Sequence, residues 1–255
     1  MTDQGRNIKI TGRGILDNNE YKRGEHRPIE INRCENVLIE GIVIAESRHW
    51  TCAATASKHV TYDNLKIVSS NDWDDGIDIV SSQHVLVDGC FIRTKDDCIA
   101  VKAGVNYYTD FFNQLPTKDV QVINSVLWNA EWGNGLEIGF ETRADTIQDI
   151  IFRNNDLIHV EGPEGTFTIH NGDRAVVRNV LYDDIRVEDS RGILVDFKIL
   201  DSRYSKDKEK GQIKDITFRN IFIDADVPIP SLLLGYNESH IIDNVVFENF
   251  RVNGR

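Results

Sequence analysis

The stretch VLIEGIVI, from Val37 to Ile44, recurs in degenerate form eight more times along the 255-residue chain. The other copies begin at residues 8, 60, 85, 120, 150, 180, 216 and 245. In every copy the third residue is apolar and the eighth is Ile, Leu or Val. The fifth residue is always Gly, Asn or Asp, which are the residue types that best tolerate a left-handed backbone. Each copy therefore predicts a short strand that ends in a bend of fixed geometry.

A strand and bend that recur at irregular intervals are typical of a parallel β-helix, in which loops of different length separate equivalent coils. One coil cannot bury its inward residues, so stacking has to supply the core. The pairs expected to line one inner wall are Ile77/Ile79, Ile99/Val101, Leu136/Ile138 and Phe167/Ile169. No ten-residue helical pattern lies between the strands, which argues against an α/β fold. A β-sandwich would not repeat one bend at the same offset nine times. We therefore predict an all-β solenoid.

The repeat runs through the whole chain, so we expect residues 1–255 to form a single domain. Longer inserts at 106–118, 200–210 and 224–240 are interpreted as surface loops, of the kind that wall a groove on one side of a solenoid. A β-helix normally covers its first coil with a cap. Because the first repeat begins at residue 8, we expect that some N-terminal coils are missing from this chain.

Composition excludes several classes of protein. The chain has 41 acidic and 29 basic residues, a formal charge of −12, which disfavours a nucleic-acid partner. The sequence contains no run of about 18 apolar residues, so no membrane-spanning helix is predicted. The four cysteines show no C-x-x-C spacing, so no zinc or thioredoxin-type site is expected. The first residues contain no apolar segment typical of a signal peptide.

Acidic residues concentrate in NDWDDGID (71–78) and TKDDCIAVK (94–102). Matching the inward residues of these two segments puts Asp75 and Asp97 in one column on consecutive coils, about 4.8 Å apart. Asp96 is expected to join them from the turn. Carboxylates that close raise at least one pKa, and an acid beside an ionised base is what glycosidic cleavage needs.

The alternatives to a catalytic cluster are a solvated acidic face and a calcium site. Two features favour catalysis: the carboxylates stack across coils, and Trp50, Trp73 and Trp132 lie in or beside the corresponding segments. Aromatic faces next to carboxylates suit sugar rings.

In order and spacing, residues 26–31, 36–41, 47–50, 75–78 and 96–102 resemble glycoside hydrolase family 28, the polygalacturonase family. The resemblance covers nearly the whole chain. It implies a right-handed parallel β-helix that hydrolyses a polysaccharide or oligosaccharide with inversion and needs neither cofactor nor metal. It also favours a secreted or periplasmic protein.

The resemblance implies roles for particular residues. Asp96 would protonate the leaving oxygen, and Asp75 with Asp97 would activate water. Two positions depart from the family pattern. Its Gly-His-Gly segment is present here with Asn134 in place of His, and its Arg-x-Lys segment falls near residues 192–198.

In that second segment the family's Arg becomes Asp196 or Leu194, depending on register, and Lys198 is retained only in the first register. Since a galacturonide carboxylate needs a cation, and Asp196 would repel it, we predict weak or no activity on plain polygalacturonate. The preferred sugar would be neutral or differently decorated.

Further substrate contacts are predicted at Asp78 and Glu137, which share a column beside the catalytic one, and at Asn134 and Lys198. Arg143 and His159 are candidates by resemblance alone. They lie in a stretch, residues 128–159, that resembles the related dextranase family 49, whose substrate is a neutral glucan.

Two other functions are open from the residues. A calcium-dependent polysaccharide lyase would use Lys102 or Arg143 as its base. A non-catalytic carbohydrate-binding β-helix would explain the altered His and Arg positions.

Overall fold

The computed structural model describes residues 2–104, 115–225 and 229–254. Within these ranges the regular structure is entirely β. The expected insert at 106–118 lies mostly outside the described residues, and part of the insert at 224–240 does as well. No helix among the described residues is long and apolar enough to cross a membrane.

The strands in chain order are β1 (Thr2–Asp3), β2 (Arg6–Thr11), β3 (Ile15–Asp17), β4 (Ile29–Asn32), β5 (Glu35–Glu40), β6 (Val43–Ala45), β7 (Cys52–Thr55), β8 (Lys58–Asp63), β9 (Lys66–Val68), β10 (Ile77–Val80), β11 (Gln83–Asp88), β12 (Phe91–Thr94), β13 (Ile99–Ala103), β14 (Thr117–Ile123), β15 (Val126–Asn129), β16 (Asn134–Thr142), β17 (Thr146–Val160), β18 (Gly165–Asn171), β19 (Val176–Val187), β20 (Val195–Ile199), β21 (Gln212–Ile223), β22 (Leu232–Leu234) and β23 (Ile242–Val252).

These strands form two parallel sheets. The site sheet has nine strands in the order β1-β4-β7-β10-β13-β16-β18-β20-β22, one from each coil. The second sheet has fourteen strands and wraps the other two sides of the solenoid. The predicted right-handed parallel β-helix is confirmed.

The predicted bends are confirmed at all nine copies of the repeat, since the fifth residue of each has a positive φ. In the later coils, β17, β19, β21 and β23 run through the bend, so there the strand does not end as expected. A second column of positive φ values precedes each repeat and was not predicted. Its members are Asn7, Asn36, His59, His84, Asp119, Asp149, Asn179, Asp215 and Asn244.

The predicted inner wall is present. Ile77 lies opposite Ile99, which lies opposite Leu136, and all three are fully buried. Farther along the solenoid the core becomes aromatic, with the rings of Phe152 and Phe218 stacked on either side of Tyr182. All four cysteines are buried and none forms a disulfide. The stacked core fixes the register of the site sheet, and with it the positions of the polar residues on its outer face.

Candidate active site

The three predicted catalytic aspartates lie at the edge of the site sheet where strands begin. Asp75 is in the turn before β10, and Asp97 is in the equivalent turn before β13. The neighbouring backbone pairs across the two coils, since the N–H of Gly76 donates to the carbonyl of Asp97 at 2.8 Å. On the next coil the side chain of Asn134 donates from Nδ2 to Asp97 Oδ1 at 2.9 Å. The predicted column of Asp75, Asp97 and Asn134 is therefore present.

Asp96 completes the cluster. One carboxylate oxygen from each of Asp75, Asp96 and Asp97 lies within 4.8 Å of the others. Asp75 and Asp97 are buried, whereas Asp96 is partly exposed. The carboxylates therefore converge at a point that is open to solvent on the side of Asp96.

Burial and crowding raise the pKa of two members of the cluster, Asp96 and Asp97. Burial, followed by the negative charge of Asp75, raises the pKa of Asp96 to about 7. The same two causes raise the pKa of Asp97 well above its ordinary value. A partly exposed carboxyl that keeps its proton near neutral pH is suited to act as a general acid.

Asp74 holds the turn that carries the acid, a role that sequence reasoning missed. It is fully buried, and its Oδ1 accepts the backbone N–H groups of Lys95 at 2.8 Å and of Asp96 at 2.9 Å. Its Oδ2 accepts the N–H of Asn71 at 3.1 Å. Burial raises the pKa of Asp74 to about 6, against the opposing effect of these hydrogen bonds. The sequence signal for this role was the doublet Asp74-Asp75. Two adjacent acids at the start of a strand point to opposite sides, so one of them is expected to face inward.

Lys102 supplies the counter-charge beneath the cluster. Its Nζ lies 3.0 Å from Asp75 and 2.7 Å from Asp78, and it sits 4.0 Å from the ring centroid of Trp50. Burial opposes its charge, but the negative charges of Asp75 and Asp78 outweigh burial and raise the pKa of Lys102 well above its ordinary value. Lys102 is therefore a structural cation here, paired with the side chains of Asp75 and Asp78.

Gly133 leaves room for the acid. It has a φ of +61°, and a Cβ at this position would lie 2.4 Å from Asp96 Oδ1 and 2.5 Å from the backbone nitrogen of Asp97. A side chain here would displace the two aspartates.

On the other side of Asn134, a buried ion network runs along the site sheet. His170 lies between two carboxylates, with Nδ1 3.2 Å from Glu137 and Nε2 3.2 Å from Asp196. Lys198 Nζ lies 2.6 Å from Asp196. Burial opposes the charge on His170, but Glu137 and then Asp196 outweigh it and raise its pKa to about 10.

The paired strands place the two candidate positions for the family's Arg, Asp196 and Leu194, on opposite faces of the site sheet. Asp196 lies opposite Thr168 and Lys198 opposite His170, so both side chains lie on the outer face of the site sheet, whereas Leu194 joins the core. His170 was missed by sequence reasoning. The observation that identifies His170 is its position directly opposite Lys198, and this position is known only once the strands are paired.

The remaining predicted contacts are placed differently from expectation. Asp78 and Glu137 share a column, but neither is exposed, and they pair with Lys102 and His170. Their assignment to substrate contact stays a prediction, and the observed contacts make them supports for two cations.

The two candidates from the 128–159 stretch are both paired. Arg143 Nε donates to Asp207 Oδ1 at 3.1 Å, in the predicted loop at 200–210. His159 is on β17 of the second sheet, where it contacts Asp189. Their proposed roles also stay predictions.

The aspartate cluster also has the donor set for a divalent cation, because three carboxylate oxygens within 4.8 Å suit calcium or magnesium. The geometry is therefore compatible with two chemistries, acid–base hydrolysis and cation-assisted elimination.

The protein is thus a parallel β-helix with a cluster of three aspartates at one edge of the site sheet. Residues 7–254 match the family described as glycosyl hydrolases family 28, and the chain belongs to that family. It is 28% identical over 200 residues to the "Probable endo-xylogalacturonan hydrolase A" of Neosartorya fischeri, a match that covers 70% of this chain and 46% of the relative. It is 27% identical over 172 residues to the polygalacturonase of Saccharomyces cerevisiae, covering 63% of this chain and 38% of that protein.

Among solved structures, the family 28 exopolygalacturonase of Yersinia enterocolitica superposes with a TM-score of 0.72 at 20% identity, covering 97% of this chain and 53% of that one. The chain thus spans about half the length of the relatives it matches.

Proposed function

We propose that the protein hydrolyses a glycosidic bond of a polysaccharide or oligosaccharide with inversion at the anomeric carbon. The observation that carries this proposal is the convergence of three carboxylates in which one, Asp96, is partly exposed with a pKa raised to about 7. Membership of glycosyl hydrolases family 28 supports the reaction class.

In the proposed mechanism Asp96 gives its proton to the glycosidic oxygen as the bond breaks. Asp75, which lies 3.0 Å from the ammonium of Lys102, removes a proton from the attacking water. Asp97 orients that water, while Asn134 fixes the Asp97 carboxyl through its 2.9 Å hydrogen bond. Acid and base assistance of this kind typically contribute about 10² to 10⁴ each in rate.

The stereochemistry needs its own measurement. Inverting enzymes usually separate their carboxyl groups by about 6.5–9.5 Å to leave room for water, whereas oxygens here approach within 4.8 Å. The proposal therefore places the water beside Asp75 and Asp97 rather than on a line between two distant groups. Proton nuclear magnetic resonance of the first product distinguishes inversion from retention.

For the substrate, we propose weak or no activity on plain polygalacturonate and a preference for a neutral or decorated sugar at the bond that is cut. Lys198 is the one family cation retained in this segment, and its charge is already matched by Asp196. The predicted repulsion from Asp196 is in turn weakened, because His170 and Lys198 both contact that carboxylate. A substrate carboxylate would thus meet a neutralised network and no free arginine at this position.

The names of the relatives point both ways: one is an endo-xylogalacturonan hydrolase, which supports a substrate other than plain polygalacturonate, and another is a polygalacturonase. A neutral glucan is included in the proposal because the sequence of residues 128–159 resembles the dextranase family, whereas the family match over residues 7–254 is to glycosyl hydrolases family 28.

The test is a reducing-end assay on polygalacturonan, xylogalacturonan and dextran, run in parallel with the Asp96→Asn variant. We expect turnover on xylogalacturonan or dextran to exceed that on polygalacturonan, and the variant to lose at least 99% of it, following the lower figure above. Turnover on polygalacturonan that equals or exceeds the others would refute the substrate proposal. A variant that keeps half its activity would refute the role of Asp96.

A calcium-dependent lyase is the second candidate. It is favoured because the three carboxylate oxygens of the cluster suit a divalent cation. The environment of Lys102 counts against it, since a base must lose its proton and the pKa of Lys102 is raised. Loss of turnover on chelation, together with an unsaturated product that absorbs ultraviolet light, would establish the lyase and overturn the hydrolase. Binding without turnover on any glycan would instead favour the non-catalytic alternative.

A further inference from the structure

Three turn residues occupy equivalent positions in front of β10, β13 and β16. Trp73, Lys95 and Trp132 each lie two residues before a member of the column formed by Asp75, Asp97 and Asn134. The coils are in contact here, since the N–H of Trp132 donates to the carbonyl of Lys95 at 2.8 Å. The two tryptophans are therefore about two coil spacings apart, roughly 10 Å along the solenoid axis.

Both indole rings are exposed beside the catalytic cluster. The exposed fraction is 50% for Trp73 and 53% for Trp132, in contrast to 7% for Trp50. The guanidinium of Arg23 covers one face of Trp73, with its central carbon 3.7 Å from the ring centroid. Large aromatic surfaces left open next to a site indicate a binding partner with an apolar face.

The turns that carry the rings are cross-braced. Lys95 Nζ lies 3.1 Å from Asp72 and 3.0 Å from Glu131, which are the residues immediately before the two tryptophans. Asp74 anchors the backbone of Lys95 from below. The rings therefore project from ordered turns and can bind with little loss of conformational entropy.

The surroundings of Trp73 select the kind of partner. A shallow pocket of about 200 Å³ opens beside it, lined by Arg23, Arg48, Ser70, Asn71 and Asp72. An aromatic face rimmed by hydrogen-bonding groups fits a pyranose ring, which has apolar faces and a polar edge. An apolar peptide would instead shield the charges of Arg23, Arg48 and Asp72 from water without offering them hydrogen bonds, at a cost in free energy.

We propose that Trp73 and Trp132 form a stacking platform for sugar rings on either side of the bond that is cut. The occupant is a polysaccharide chain laid along the solenoid axis, with one ring over each indole and the polar edge of the ring at Trp73 directed to the pocket. This assignment of binding subsites rests on the proposed function for the class of ligand.

The test measures binding without turnover. The Asp96→Asn protein serves as the host and is run through native gels that contain polygalacturonan, xylogalacturonan or dextran. Trp73→Ala and Trp132→Ala are added to the host singly, with Trp→Phe at each position as the conservative pair. Phe222→Ala is the matched control, because Phe222 is an exposed aromatic residue, 39% accessible, on β21 of the second sheet.

We expect the host to be retarded by at least one of the three polysaccharides. Each Trp→Ala change should weaken that binding about tenfold, as loss of one aromatic contact implies. Trp→Phe should restore part of it, and the Phe222 variant should match the host. Thermal unfolding midpoints that stay equal to that of the host exclude a structural cause.

Three outcomes overturn the platform: no retardation of the host by any polysaccharide, Trp→Ala variants that bind like the host, or a Phe222 variant that weakens binding equally. The platform and the proposed function fail separately. Tryptophan-dependent retardation without any turnover by the unmodified protein would leave the platform and refute the hydrolase. Turnover by the unmodified protein together with binding that does not depend on the tryptophans would support the hydrolase and refute the platform.

Discussion

The buried carboxylate of Asp74 accepts the backbone N–H of Asp96 at 2.9 Å. The same oxygen also accepts the N–H of Lys95. Asp74 therefore acts as a clamp that holds the turn carrying Asp96. The proposed general acid is thus positioned by an aspartate that no substrate touches.

Replacement of Asp74 by alanine should therefore destabilise the protein and slow turnover. Three backbone N–H groups would lose a buried acceptor, at a cost of roughly 1–3 kcal/mol in the free energy of unfolding for each group that water does not reach. Asp74→Asn retains Oδ1 as an acceptor, so it should unfold closer to the parent protein. Urea unfolding and kcat for both variants check this. Equal stability of Asp74→Ala and the parent would contradict the clamp.

The raised pKa of Asp96 predicts that, as the pH rises, the parent protein loses turnover while the Asp96→Asn variant gains stability relative to the parent. Turnover that needs the protonated acid should fall as the pH rises through about 7. Because the pKa is raised in the folded state, the unfolded chain loses its proton first, and stability falls between about pH 4 and pH 7. Asp96→Asn removes this loss.

The variant should therefore gain stability relative to the parent as the pH rises from about 4 to about 8. The gain should be on the order of 1 kcal/mol, since the carboxyl is partly exposed. Thermal unfolding at the two pH values measures it. A difference between variant and parent that does not change with pH would show that Asp96 has an ordinary pKa.

Two glycines separate backbone strain from crowding at the acid. Gly133 and Gly89 share a φ of +61°, but a Cβ at Gly89 meets nothing within 4 Å, whereas one at Gly133 meets Asp96. Gly89→Ala should cost about 1 kcal/mol of stability and leave turnover unchanged. Gly133→Ala should cost more and lower kcat at least about tenfold. Identical kinetics for the two variants would rule out the contact with Asp96.

Lys102→Met should destabilise the protein by about 3–5 kcal/mol, because Asp75 and Asp78 would be left as buried carboxylates without a cation. Adding Asp78→Asn should recover part of the stability by removing one of those charges, without recovering turnover, since Asp75 would still lack its counter-charge. Chemical unfolding and kcat of the single and double variants check both statements. A double variant no more stable than Lys102→Met would mean that Lys102 does not balance Asp78.

His170→Gln should cost a similar amount, about 3–5 kcal/mol, because Glu137 would lose its cation, whereas Asp196 would keep its contact with Lys198. Because the pKa of His170 is raised to about 10, its contribution is complete below about pH 6.5 and is lost as the pH rises to about 10. The difference in unfolding free energy between parent and variant should shrink across that range. A constant difference would indicate that His170 is uncharged in the folded protein.

The sequence by itself determined the repeat and the register. Apolar residues at fixed offsets from a Gly, Asn or Asp bend leave one way to stack the coils, because a one-residue shift would turn every inward side chain outward. That register alone was sufficient to bring Asp75, Asp97 and Asn134 into one column. The bend column could be read directly because its residue types are the ones that tolerate a left-handed backbone.

Only the tertiary structure decided which polar residues of the site sheet reach solvent and which are buried beneath them. Asp78 and Glu137 share a column in the sequence pattern as they do in the fold, but burial and the cations Lys102 and His170 determine what each one does. Such pairs join residues 24 and 33 positions apart. Their partners depend on side-chain reach between coils and on loop paths, and no local pattern encodes either. The periodicity of the chain therefore specifies the scaffold, while charge pairing between coils specifies the site.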